Sequence, residues 1–153
     1  MGGSLRAESK VVLESLPSSI LAFEDFIARL GFLSPSESDR IMIAGGEILD
    51  NIVKHSYPVE RRRIVARVRR GRGSILLGFY FRAPGFAAFA AGDALRAASE
   101  PLYDPAHRRW RGIGLVMCRN LARRVAFRPG ESMDRIFLEF DAEPGLLKPG
   151  LKP

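Results

Sequence analysis

The chain has 153 residues, 46% apolar and 27% charged, which suits one domain with a core of its own and makes two stable domains a poor fit. No stretch approaches the roughly 18 uninterrupted apolar residues that a membrane span needs, and the start, Met1-Gly2-Gly3-Ser4-Leu5-Arg6, lacks the apolar run of a secretory signal. The expectation is a cytoplasmic protein with no membrane partner. The formal net charge of +7 comes mostly from arginine, concentrated between Arg61 and Arg72, and such a patch attracts nucleic acid, acidic proteins and nucleotides alike. Cys118, the single cysteine, has no internal disulfide partner and reads as a small core residue.

Residues 1–10 are expected to be mobile. Val11 to Leu16 is short and apolar enough for a strand, which Pro17 ends. Ser18 or Ser19 then offers a helix N-cap, and Ile20, Phe23, Ile27 and Leu30 recur at three- and four-residue steps before Gly31 stops the helix. Ser34-Pro35-Ser36-Glu37 opens a second helix, because a capping serine is followed by proline at the first helical position and by glutamate three residues after the cap. It is predicted to run from about Pro35 to about Lys54, with Ile41, Ile48 and Ile52 inward.

After Tyr57-Pro58 the pattern turns from helical to alternating. Arg63, Arg67 and Arg69 fall on one face of a strand and Ile64, Ala66 and Val68 on the other; Gly71-Arg72-Gly73 supplies a turn and Ile75 to Phe81 a second strand. Pro84 to Arg111 reads as a long connection with one short helix near Asp93 to Ser99, and connections of that length in a small domain are usually functional or mobile. Gly112-Ile113-Gly114 leads into a helix from Leu115 to about Arg124, and strands follow near Val125 to Arg128 and Arg135 to Phe140. Residues 142–153, rich in proline and glycine, read as a flexible tail.

Two constellations carry chemistry. Glu47, Asn51 and His55 are spaced four apart, one stripe of the second helix, beside the apolar stripe. A carboxylate one turn from a carboxamide suits divalent-cation and phosphate chemistry: the amide oxygen can ligate Mg²⁺ while the carboxylate orients or deprotonates a nucleophile. The same spacing also describes a solvated helix face. In the second constellation, Arg111-Gly112-Ile113-Gly114 precedes a helix, where glycines let the backbone approach a ligand and the helix N-terminus favours phosphate; Arg108, Arg109 and Arg111 add positive charge.

Together and in this order, these segments resemble a known family. Ile43 to Tyr57 looks like the N box of GHKL ATPases, especially in anti-sigma-factor serine kinases. Arg111 to Leu121 is similar to the family's second glycine box and the helix after it, and Arg124 to Phe127 and Asp134 to Phe140 resemble its last two strands. The likeness spans residues 11–141. It implies an α/β fold of the Bergerat type, a two-layer α/β sandwich with a mixed sheet and helices on one face. It further implies ATP or ADP with Mg²⁺ under a lid from about Ala88 to Trp110.

In that frame Glu47 corresponds to the catalytic general base, Asn51 to the Mg²⁺ ligand, and Gly85, Arg111, Gly112 and Gly114 to nucleotide-binding positions. The family's first glycine box falls on Phe81-Arg82-Ala83-Pro84-Gly85-Phe86, so Phe81 occupies the position of the aspartate that accepts the adenine amino group. Loss of such a bond costs about 1.5–3 kcal/mol, roughly ten- to a hundredfold in affinity. The resemblance thus implies either an ATP-dependent serine/threonine protein kinase, or a degenerate relative, acting on a sigma factor or a STAS-type anti-anti-sigma protein, or a non-catalytic binding module of the same fold that has lost ATP. It allows a homodimer. Nucleic acid ranks last among partners, because few aromatics interleave the arginines.

Overall fold

In the computed structural model the described residues are 6–55, 62–82, 102–104, 109–111 and 113–144. Strand β1 (Ala7–Glu14) leads through helices α1 (Ser19–Ala28) and α2 (Pro35–His55) to β2 (Arg63–Arg70) and β3 (Ser74–Phe81). A short ribbon, β4 (Leu102–Asp104) and β5 (Arg109–Arg111), precedes helix α3 (Ile113–Leu121), and β6 (Arg124–Arg128) and β7 (Asp134–Asp141) close the order. The result is a mixed α/β fold around a five-stranded sheet ordered β1-β2-β3-β7-β6.

Every ladder in that sheet is antiparallel, which corrects the expected mixed sheet. Two helices between β1 and β2 cross the sheet twice and return the chain to the end it left, where the Ser15 amide donates to the Arg62 carbonyl at 2.8 Å. β6 does run in the same direction as β3, but β7 folds back from it and inserts between them. The parallel relation is therefore never a hydrogen-bonded pair.

Strand parity decides the two faces. Ile64, Ala66 and Val68 of β2, Ile75, Leu77 and Phe79 of β3, and Ile136, Leu138 and Phe140 of β7 are all at most 1% exposed. They pack against α1 and α2, whose Phe23, Ile27, Ile41, Ile48 and Ile52 are fully buried. Where α2 crosses the sheet, Gly45 is required: a Cβ there would lie 2.6 Å from Phe23 Cζ and 2.7 Å from Leu77 Cδ2.

The capping box forms as expected, with the Ser34 amide donating to Glu37 Oε2 at 2.8 Å and the Glu37 amide to Ser34 Oγ at 3.0 Å. At α1 the cap is Ser18, which makes no side-chain bond; the helix is entered instead through a turn in which the Ser19 amide reaches the Leu16 carbonyl at 2.9 Å.

Three boundaries differ from expectation. β1 begins at Ala7, so residues 7–10 are paired with β2 rather than mobile, and Glu8 meets Arg67 at 2.6 Å and Arg69 at 3.2 Å. The connection before α3 contains the β4–β5 ribbon. The expected tail starts tied down: the Ala142 amide donates to the Gly73 carbonyl at 3.2 Å and the Glu143 amide to Glu37 Oε1 at 2.7 Å. The helix expected near Asp93 to Ser99, most of the lid and residues 145–153 lie outside the described residues.

Candidate functional site

Helix α2 is fixed to the sheet at two levels. Near its N-terminus the buried Glu37 pairs with Arg70, the last residue of β2, side chains 0% and 1% exposed; midway, Gly45 lies against Leu77 of β3. The helix thus climbs β3 from its Arg70 end toward Phe81. From Gly45 to Asn51 the helix rises about 9 Å, while Leu77 to Phe81 covers about 13 Å of strand. Glu47 and Asn51 therefore lie on the half of α2 directed to the Phe81 end of the sheet.

Their azimuth follows from α3. The buried Cys118 thiol contacts the Ala44 carbonyl oxygen at 3.2 Å, as donor. Ala44, Glu47 and Asn51 are three and four residues apart and so share the stripe of α2 that faces α3. Burial pushes the Cys118 thiol up to about 12, and the negative charge of Glu47 adds to the rise. Glu47 and Asn51 are both half-buried. On α3, Gly114 precedes Cys118 by one turn and belongs to the same stripe.

The sequence-derived residues thus divide. Glu47 and Asn51 are brought together on α2 facing α3, Gly114 is in the first turn of α3, and Arg111 ends β5. Gly85 and Gly112 lie outside the described residues. His55 is the last residue of α2.

Phe81 ends β3 on the inner face and is 2% exposed, part of the core. Directly across from it in the β3–β7 ladder is Asp134, 7% exposed. Parity puts its carboxylate on the helix-facing side with Ile136 and Leu138. Its described contact is a long 3.4 Å bond that Oδ1 accepts from the Gly130 amide. Sequence reading missed Asp134, although the alternation Asp134, Ile136, Leu138, Phe140 was a signal for it.

As a metal site this donor set is incomplete by itself: among the described residues no three His, Cys, Asp or Glu side chains cluster for a cation. Mg²⁺ does not need such a cage, since it keeps several waters and takes substrate phosphates alongside one or two protein oxygens; a carboxamide and a carboxylate one turn apart fit that mode. No helix among the described residues is long and apolar enough to cross a membrane. No family model matches the chain, and no curated protein matches it.

Proposed function

We propose that the chain is a GHKL-type regulatory domain, related to anti-sigma-factor serine kinases, that binds ATP or ADP with Mg²⁺ between α2, α3 and the Phe81 end of the sheet. The observation that carries this reading is the half-buried Glu47–Asn51 pair on the stripe of α2 that Ala44, in contact with Cys118, turns toward α3. A helix edge exposed only for solubility would point away from its neighbour. The Asn51 carboxamide oxygen is the Mg²⁺ ligand, Gly114 keeps the first turn of α3 clear for phosphate, and Gly85, Arg111 and Gly112 complete the nucleotide contacts. Bound Mg-ATP would supply a transferable phosphoryl group with its charge neutralised. Glu47 then takes the proton from the hydroxyl of a serine on the partner, a sigma factor or STAS-type protein.

Phe81 cannot accept a hydrogen bond at the adenine position. Asp134, buried and cross-strand from it, is the carboxylate that takes over this role. Titration of the chain with Mg-ATP in a calorimeter tests the reading: the wild type and Glu47→Ala bind, Asp134→Ala binds about ten- to a hundredfold more weakly, and phosphoryl transfer is lost in Glu47→Ala. An Asp134→Ala affinity equal to wild type sinks the acceptor role, and absence of heat in the wild type sinks the nucleotide site.

A second reading has its own observation. The burial of Phe81 in the core favours a binding module that keeps the fold without ATP. It predicts no thermal shift with Mg-ATP, whereas a working site at a hundredfold excess over its Kd adds about 2.7 kcal/mol.

A further inference from the structure

The face of the sheet opposite the helices is covered by nothing in the described residues, and its pattern is not that of an ordinary solvated face. The register places Leu76, Gly78 and Tyr80 of β3 side by side with Glu139, Phe137 and Arg135 of β7, and these with Arg124, Ala126 and Arg128 of β6. Along β2 the sequence separates its arginines with small aliphatics, which is why stacking looked poor. The fold supplies aromatics from the neighbouring strands instead.

Tyr80 and Phe137 meet edge-on, with centroids 5.9 Å apart and planes at 86°. Gly78 makes room for them: a Cβ there would lie 3.1 Å from the Tyr80 ring and 3.2 Å from the Phe137 ring. Both rings are half-buried and occupy adjacent interior strands, β3 and β7. Beside them a shallow groove of about 380 Å³ is lined by Leu76, Ala126 and Phe137, by Arg124, Arg128 and Arg135, and by one carboxylate, Glu139, so that three cations face a single anion. Those three guanidinium groups are exposed and form no ion pair among the described residues, whereas Arg67 and Arg69 on the same face are engaged by Glu8.

We propose that this open face binds single-stranded nucleic acid, with bases on Tyr80 and Phe137 and phosphates on Arg124, Arg128 and Arg135. Planar guanidinium groups match phosphate oxygens in pairs, and aromatic rings between them give bases a surface that any sequence can stack on. A broad five-stranded face does not enter a duplex groove, which admits one helix or a two-stranded ribbon, so the bases must already be unstacked from a partner strand. A second copy of the chain is the competing occupant, and the test below separates it by its oligomeric state. The inference stands apart from the nucleotide site, which is on the other side of the sheet.

Fluorescence anisotropy of the full chain with a labelled twelve-nucleotide oligouridine tests it, with Glu47→Ala included to separate the two sites. Binding is expected to be unchanged in Glu47→Ala. Phe137→Ala is expected to weaken it about 5- to 150-fold, with little change in salt dependence. Phe137→Leu, which keeps the apolar packing, serves as the fold-preserving partner and should weaken it in the same direction. Replacing Arg124, Arg128 and Arg135 by alanine should flatten the slope of log K against log salt by about 2. Duplex DNA and polyglutamate should compete poorly. The proposal is overturned if the oligonucleotide does not bind at low salt, if Phe137→Ala and Phe137→Leu both bind like wild type, if polyglutamate competes equally, which would indicate an acidic protein partner, or if sedimentation shows a dimer that Phe137→Asp splits.

Discussion

Glu37→Ala removes more than a helix cap. In the native chain the Glu37 carboxylate accepts from the Ser34 amide at 2.8 Å, from the Glu143 amide at 2.7 Å and from Arg70, and neither charged side chain is more than 1% exposed. Truncation leaves the Arg70 guanidinium, whose Nε already lacks a partner, without its counter-charge in a site only 1% exposed. Removing one member of a buried ion pair costs about 3–5 kcal/mol and losing a cap about 0.5–2 kcal/mol. The two losses share one carboxylate and do not add, so about 4 kcal/mol is expected, a fall in Tm of about 8–16 °C for a chain of this size.

Urea denaturation and calorimetry of the wild type, Glu37→Ala, and the double variant Glu37→Leu with Arg70→Met provide the measurement. The apolar double should sit well above the single, because replacing both charges leaves nothing stranded. Acid supplies an independent arm. Burial raises the Glu37 pKa, but the hydrogen bonds from Arg70, Ser34 and Glu143 and the charge of Arg70 outweigh it and hold the carboxyl below its ordinary 4.5. A pKa lowered on folding gives stability that is complete above about pH 4.5 and is lost as pH falls through the lower folded value. The wild type should therefore lose a component of stability in acid that the double variant lacks. A Glu37→Ala variant within about 1 kcal/mol of wild type, or identical acid profiles for wild type and double, would refute the reasoning.

Two further predictions concern α2 and α3. Gly45→Ala should cost about 1–3 kcal/mol by overpacking, since its Cβ meets Phe23 and Leu77, whereas Gly46→Ala, with nothing within 4 Å, should gain up to about 1 kcal/mol from helix propensity; equal melting temperatures for the two would contradict the close approach of α2 to the sheet. With its thiol pushed up to about 12, Cys118 should resist iodoacetamide at pH 8 in the native chain and react once urea unfolds it, and rapid native labelling would place it outside the α2–α3 contact.

Much of this architecture could be read from local rules, and what could not has a physical cause in each instance. The capping box at Ser34 and the apolar stripe of α2 are set within a few residues, and both form as expected. The first half of β1 escaped because its residues alternate between small side chains inward and charges outward, so no apolar run announces it; its evidence is the pairing of Glu8 with arginines of β2, about 60 residues away. Glu37 was legible as a cap but not as the partner of Arg70, although Arg70 continues the inward parity of Ile64, Ala66 and Val68. An arginine at a core position calls for a carboxylate, and only the fold says which one. For the candidate site, Glu47 and Asn51 were legible from spacing alone, while Asp134 needed the register of β7 against β3.

The two ends of α2 do different work, and the sheet explains why. At the Arg70 edge the inner face ends in a charge, which Glu37 and the Glu143 backbone neutralise and seal. At the Phe81 edge it ends in Phe81 and a carboxylate, Asp134, whose contact among the described residues is one long bond. Ten residues of helix, about 15 Å, separate Glu37 from Glu47, and the close contact at Gly45 fixes α2 between them. One edge thus closes on a buried ion pair that anchors the helix, whereas the other ends in Phe81 and Asp134, at the end of the sheet toward which the Glu47–Asn51 half of α2 is directed.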